Sequence, residues 1–382
     1  MLEITMPTSF DARLLDGLEA LNARHADRGV RVTELFGSLD RSVVGCGRPS
    51  RSLAPIDRPA FEAHARELIA RGFRLSYLYN GSCTGNREFS PSERARLLDE
   101  LDWVRGLGTR AVVVASPYLV DLIRRRAPEL RVHLSSVAFA KSTKEVAHHV
   151  RQGITRLILD PDSVRDLGFT ERVRAAWPEL EVEALVNHPC LMNCPYETYC
   201  YNAVSHGSSD DLAPYASYAL LRCNLDKLRD PAELVRGSWV RPQDTHHLER
   251  AGVTVLKLAG RGRSTDWLLR AAEAYLAREF SGNLMELIWE AQWAAVQRTL
   301  ERPDLAALPV DVPAAAFDGF MDTFAKVRPT CREGCGTCRI CPGFARRGVT
   351  IEPTARATYA SAIEATLERL TADPRAVGLA GA

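Results

Sequence analysis

Short runs of β-branched and other apolar residues recur along the chain and alternate with longer stretches whose apolar positions fall every three or four residues. Repeated strand–helix units produce this alternation. The short runs predict strands over residues 2–7, 30–36, 73–79, 111–115, 132–136, 156–160, 181–187 and 253–258. Amphipathic stretches over 59–71, 91–107, 117–126, 144–152 and 170–176 predict helices between them, several opened by Ser, Pro or Thr. Eight such strands predict an α/β fold of the TIM (β/α)8 type; the competing arrangement is an open doubly wound sheet with a second domain. Strands 7 and 8 are separated by far more residues than other pairs, so about 188–252 is expected to be a functional insertion. Helical patterns over 265–280, 283–300, 314–326 and 353–370 then predict a helical C-terminal extension with a frayed end. The expected division is a barrel over 1–280 and an extension over 281–382. Trp289 and Trp293, in the extension, would either pack into the core or face a second copy.

Composition narrows the class. The chain has 382 residues, and 49 Lys and Arg nearly cancel 48 Asp and Glu. That balance gives no global basic field of the kind that drives nonspecific nucleic-acid binding, and leaves only a local patch open. No apolar run reaches the length of a membrane span. The opening Met1-Leu-Glu-Ile-Thr-Met-Pro lacks the basic segment and apolar core of an export signal, so a soluble, cytoplasmic protein is expected.

Cysteine changes the picture most, because eight of ten fall into two groups in a chain expected to stay where thiols are reduced. Cys331, Cys335, Cys338 and Cys341 share eleven residues, with Gly334 and Gly336 giving a backbone able to fold around a cubane and Pro342 following the last thiol. A 4Fe-4S cluster is expected there, with zinc as the alternative. The spacing of its first three cysteines matches that of radical S-adenosylmethionine enzymes, but its position late in the chain and its fourth thiol favour a closed cluster for electron transfer or support. The other group, Cys190, Cys194, Cys200 and Cys223, follows strand 7 and its downstream insertion, where barrel active sites are built. A second 4Fe-4S cluster is expected there, with Cys200 either the fourth ligand or standing aside to leave one iron open. Cys46 and Cys83, after strands 2 and 3, read as buried small hydrophobes or as further ligands.

A family resemblance becomes visible in Gly108-Thr-Arg-Ala-Val-Val-Val-Ala-Ser-Pro-Tyr-Leu, Ala127-Pro-Glu-Leu-Arg-Val-His-Leu-Ser-Ser, Gly153-Ile-Thr-Arg-Leu-Ile-Leu-Asp and the run from Leu248 through Lys257, Arg261 and Arg263 to Thr265. These segments resemble successive units of the collagenase-like peptidase family U32, over about residues 1–280. The resemblance implies a TIM-barrel iron–sulfur protein performing oxygen-independent hydroxylation, on the ubiquinone ring or on RNA pyrimidines, with prephenate implicated as organic oxygen donor. It also implies that Cys190 and its neighbours hold the barrel cluster. The chain departs from that pattern in the close spacing of Cys190 and Cys194 and in its cysteine-rich tail, so the substrate does not carry over. Peptidase activity is not expected: neither a Gly-x-Ser-x-Gly elbow nor a His-Glu-x-x-His helix is present, and thiols spent on iron are lost as nucleophiles.

Lys257, Arg261 and Arg263 stand at and beyond the end of strand 8, and Arg48 follows strand 2. They are expected to hold an anionic small-molecule substrate, the alternative being surface or interhelix ion pairs. His188 and His206, with His246 and His247, flank the cysteine motifs as proton carriers, iron ligands or structural histidines. Asp160 and Glu183 would line the mouth if they face inward, as would Asn80, Asn86 and Glu88 after strand 3. The expected function is iron–sulfur redox catalysis, by oxygen-independent hydroxylation or a related atom transfer, with an electron-transfer partner served by the tail. The alternatives are sulfur transfer or reduction at an open iron, and a noncatalytic electron carrier or scaffold.

Overall fold

A computed structural model describes residues 1–209, 217–302 and 304–372. The frayed end expected over the last ten residues lies outside these residues. Eight parallel strands close into a barrel in chain order: β1 (Leu2–Pro7), β2 (Val30–Gly37), β3 (Arg74–Tyr79), β4 (Ala111–Val114), β5 (Arg131–Leu134), β6 (Arg156–Ile158), β7 (Glu181–Leu185) and β8 (Val255–Lys257). Closure is made by β8 against β1, with Glu3 opposite Val255 and Thr5 opposite Lys257. The TIM-type barrel is therefore the fold, and the open doubly wound sheet is excluded.

Helices α1 (Ala12–Arg24), α2 (Arg58–Ala70), α3 (Pro91–Gly106), α4 (Pro117–Arg126), α5 (Thr143–Gln152) and α6 (Leu167–Ala176) cover β1 to β7. Their starts are chemically marked. Asp11 and Asp57 accept backbone N–H groups at the starts of α1 and α2, and Ser142 and Glu145 form a reciprocal capping box at α5. The strand expected to include Asp160 stops at Ile158. Asp160 instead accepts the Asp162 N–H at 3.0 Å, and Pro161, which has no N–H to donate, opens a short 3-10 turn.

The barrel interior is polar at mid-height. Arg156 is 1 % exposed and reaches Glu34 at 3.1 Å, Glu181 at 2.7 Å and Glu183 at 3.3 Å. Thr5 donates to Glu183, Ser76 donates to Glu34, and His133 lies beside them. Burial alone would push both carboxyls up. Around Glu34, Arg156, Ser76 and Arg74 outweigh it, and around Glu183, Lys257 and Arg156 do so, leaving both below the usual carboxylate range. Above this layer Phe36, Leu78, Val113 and Ile158 form a separate apolar cluster that floors the mouth.

The insertion between β7 and β8 carries α7 (Glu197–His206), α8 (Tyr218–Arg229), α9 (Ala232–Arg236) and α10 (Thr245–Ala251). After β8 come α11 (Thr265–Ala277), α12 (Met285–Ile288), α13 (Glu290–Leu300), α14 (Phe320–Val327), α15 (Cys331–Gly334), α16 (Ile340–Gly348) and α17 (Pro353–Ala372). A two-stranded antiparallel ribbon joins β9 (Val310–Asp311) to β10 (Thr350–Ile351). The single helix expected over 283–300 is broken at Trp289, which is fully buried and edge-on to Trp239. That expected over 314–326 is split by Gly319 at φ 77°, which separates a 3-10 turn from α14. Helix α16 packs on α9 and α17 on α8, so the extension is seated on the insertion.

Candidate functional site

Four central cysteines converge above the barrel: Cys190 and Cys194 from the loop after β7, Cys200 from α7 and Cys223 from α8. The thiols are close enough to raise one another. Burial followed by the neighbouring Cys190 pushes Cys194 up to about 12; burial, then Cys190, Cys223 and Cys194, pushes Cys200 up as well. Burial lifts Cys223 to about 11 and also lifts Cys190, with Lys227 pulling both down.

Lys227, one helical turn beyond Cys223, is fully buried. Its ammonium donates to the Pro189 carbonyl at 2.7 Å and to the Gln292 side chain, and among the described residues it pairs with no carboxylate. A buried ammonium whose partners are all neutral lacks charge compensation unless the thiols beside it are thiolates. Asn224 donates toward the Cys223 sulfur at 3.5 Å. Arg48 acts on Cys190, Cys200 and His188 from the loop after β2. Burial and then Arg48 bring His188 down to about 4, so the imidazole is neutral near pH 7. Its Nδ1 is buried without a partner among the described residues, while Nε2 lies 3.4 Å from the Tyr201 hydroxyl.

The tail repeats this arrangement. Cys331, Cys335, Cys338 and Cys341 line a cavity of about 250 Å³ with Arg236 and Phe324. Arg165, 3 % exposed, donates to the carbonyls of Val235, Arg236 and Gly237 and lies over the rings of Phe320 and Phe324. Burial raises the Cys331 thiol to about 11 and raises Cys341, with Arg165 opposing in both. As with Lys227, its partners are neutral and no carboxylate pairs with it among the described residues.

The segments that carry the two cysteine groups touch through Asn193. Asn193, between Cys190 and Cys194 and at φ 49°, donates from its side chain to the carbonyls of Cys331 at 3.0 Å and Arg332 at 3.3 Å. Its own N–H goes to Asp162 at 2.8 Å. Lys141 ties that loop down through Asp162 at 3.0 Å and Glu197 at 2.7 Å, and lies 3.7 Å from Asp160. Burial lifts Asp160 to about 7 against the pull of Lys141.

Other expected residues fall differently. Lys257 does not stand free: it bonds Glu183 at 3.1 Å and lies 3.7 Å from the Phe36 ring centroid, so its charge is used inside the barrel. Burial lowers its pKa, with Glu183 opposing. Glu183 faces inward as considered, but as a carboxylate paired with Lys257 and Arg156. His206 ends α7 beside Gly85, and the rings of His246 and His247 pack tilted against each other, with His247 3.2 Å from Asp322. Glu88 is held by Thr84 in its own loop, whereas Asn80 accepts the Gly47 N–H and ties the loops after β2 and β3 together. Cys46 is buried against Arg261. Burial raises its thiol, but the guanidinium outweighs it and holds the thiol below its ordinary value. Lys227, Arg165, Asn193 and Lys141 were missed. Lys227 stands four residues from Cys223, on the same face of α8.

Fold and site together define a parallel (β/α)8 barrel with four cysteines, Cys223 buried and the other three partly buried, at its C-terminal mouth. Comparison with known proteins adds that the profile of Peptidase family U32 matches residues 69–205, from the end of α2 through α7, which include three of the four central cysteines. The chain is 23% identical over 316 residues to an uncharacterized protease of Methanocaldococcus jannaschii, covering 81% of this chain and 86% of that protein. It is 32% identical over 86 residues to tRNA hydroxylation protein P of Escherichia coli, covering 22% of this chain and 18% of that one. The solved structure of the U32 peptidase Mk0906 superposes with a TM-score of 0.49 at 17% identity, covering 68% and 93% of the two chains. The U32 resemblance read from the sequence is borne out. No helix among the described residues is long and apolar enough to cross a membrane.

Proposed function

We propose that this protein is an iron–sulfur redox enzyme that performs oxygen-independent hydroxylation, or a related atom transfer, on an anionic small molecule at the barrel mouth. The observation that carries this reading is the pairing of each thiol quartet with its own buried cation, Lys227 or Arg165, whose hydrogen-bond partners are neutral. Four thiolates around a cluster supply the missing negative charge. Among the described residues, no three Cys, His, Asp or Glu side chains gather closely enough to hold one metal ion as the side chains stand.

A 4Fe-4S cluster, when bound, supplies one-electron redox chemistry and, if one iron lacks a protein ligand, a place for direct contact with substrate. Cys190, Cys194 and Cys223 would hold the barrel group, with Cys200 as fourth ligand or bystander, and Cys331, Cys335, Cys338 and Cys341 would hold the tail group. Lys227 and Arg48 offset the thiolate charge. Phe36, Leu78, Val113 and Ile158 keep the floor of the mouth dry, while Arg48 and Arg261 hold anionic groups of the substrate. The E. coli relative's name supports hydroxylation as the reaction class. The U32 resemblance supports an organic oxygen donor such as prephenate. The contact of Asn193 with Cys331 supports a tail that receives electrons from a partner protein.

Anaerobic purification followed by iron and sulfide quantitation and Mössbauer spectroscopy tests this. About eight irons and eight sulfides per chain are expected. Zinc without sulfide overturns the redox reading, and about four irons with zinc confines it to one quartet.

A further inference from the structure

Across the loop that carries Cys46, Gly47 and Arg48, a second cavity of about 450 Å³ opens at the C-terminal end of the barrel. Its walls come from the loops after β1, β2 and β8 and from the end of α13, and its volume falls in the range of small-molecule sites. Four guanidinium groups line it, from Arg51, Arg261, Arg263 and Arg298, and none of its lining residues carries a carboxylate.

Arg51 donates to Ser217, while Arg261, Arg263 and Arg298 are only partly satisfied among the described residues. Arg263 pairs with Glu290 at 2.7 Å and lies over Trp267, yet its Nε is buried without a partner. The Nη1 of Arg261 is also buried and unpartnered. The side chain of Arg298 is exposed and makes no hydrogen bond or ion pair among the described residues. A further signal points inward: Ser38, 6 % exposed, lines the cavity with a buried hydroxyl that has no partner among the described residues. Gly262 lets the walls close. At φ 79° its place allows no side chain, since a Cβ would lie 2.1 Å from the Ser52 carbonyl oxygen. The loop bearing Arg261 and Arg263 is thus pressed onto the loop bearing Arg51.

We propose that this cavity binds the phosphoryl group of a small organic phosphate. Several guanidinium groups and one donor hydroxyl facing a single cavity suit a group that puts three acceptor oxygens and about two negative charges on one centre. Two separated carboxylates would spread that charge. The loop after β8, which forms one wall, is among the loops after strands 7 and 8 that often bind phosphate in this fold. Only the use made of the bound molecule rests on the hydroxylase reading; the binding does not.

The experiment is calorimetric titration of the anaerobically purified protein with inorganic phosphate, glycerol 3-phosphate and succinate, with iron and sulfide measured on the same samples. Saturable binding of both phosphates is expected, with succinate clearly weaker. Arg298→Met and Ser38→Ala should each weaken glycerol 3-phosphate by about tenfold, the loss of one charge-assisted or buried hydrogen bond, at unchanged iron content. Absence of saturable phosphate binding, succinate binding as tight as the ester, or wild-type affinity in both variants overturns the proposal. Phosphate binding to protein that lacks iron would leave this site standing and overturn the cluster reading instead.

Discussion

Replacing Arg156 by methionine tests whether the polar layer inside the barrel holds it together. Arg156 is 1 % exposed and touches Glu34, Glu181 and Glu183. Breaking a buried charge cluster by removing one partner costs about 3–5 kcal/mol. Here Glu34 keeps Arg74 at 3.5 Å and Glu183 keeps Lys257 at 3.1 Å, so the lower end, about 3 kcal/mol, is expected. Unfolding entropy of about 2.1 cal/mol/K per residue over 382 residues is about 0.8 kcal/mol/K, which makes the loss about 4 °C in Tm. Both carboxyls are held below their unfolded values, so wild-type stability from them is present above those values and is lost as pH falls through the lower folded ones. In Arg156→Met the carboxyls are released upward and take up protons earlier, so the gap between variant and wild type should narrow from pH 7 to pH 5. Calorimetry at the two pH values measures this. A Tm within about 1 °C of wild type, or a gap that widens toward pH 5, would refute the reasoning.

Lys227→Met should remove about four irons from the barrel while the tail keeps its own, as read by iron quantitation and Mössbauer spectroscopy; Arg165→Met should do the reverse. Equal loading of both variants with wild type would show that the buried cations do not matter to the thiolates. Asp160, lifted to about 7 from 3.8, keeps a proton in the folded state that the unfolded chain releases, so its contribution to stability falls as pH rises between those values. Asp160→Asn should therefore raise Tm more at pH 8 than at pH 5, and a uniform shift would contradict that assignment. Asn193→Gly keeps the left-handed backbone but drops the bonds to Cys331 and Arg332. It should cost about 1 kcal/mol and speed proteolytic cleavage within residues 331–341, whereas an unchanged cleavage rate would mean that the contact does not secure the tail.

The sequence by itself determined the barrel, since eight strands and their covering helices are written in local periodicity, and their starts in Asp, Ser and Pro beside the first turns. It also grouped Cys331, Cys335, Cys338 and Cys341, which share eleven residues and line one cavity. It read the junctions less well: Pro161 ended β6 before Asp160, and Gly319 broke a helix whose apolar pattern ran on. Only the tertiary structure decided where charge goes. Lys257 meets Glu183 from a strand 74 positions away, Asn193 meets Cys331 across 138, and Arg165 reaches carbonyls 70 to 72 residues on. Composition counts these charges but cannot say which are buried together. A buried charge must find its partner through space, whereas a helix or strand finds its hydrogen bonds and its apolar face within a few residues or in the neighbouring strand.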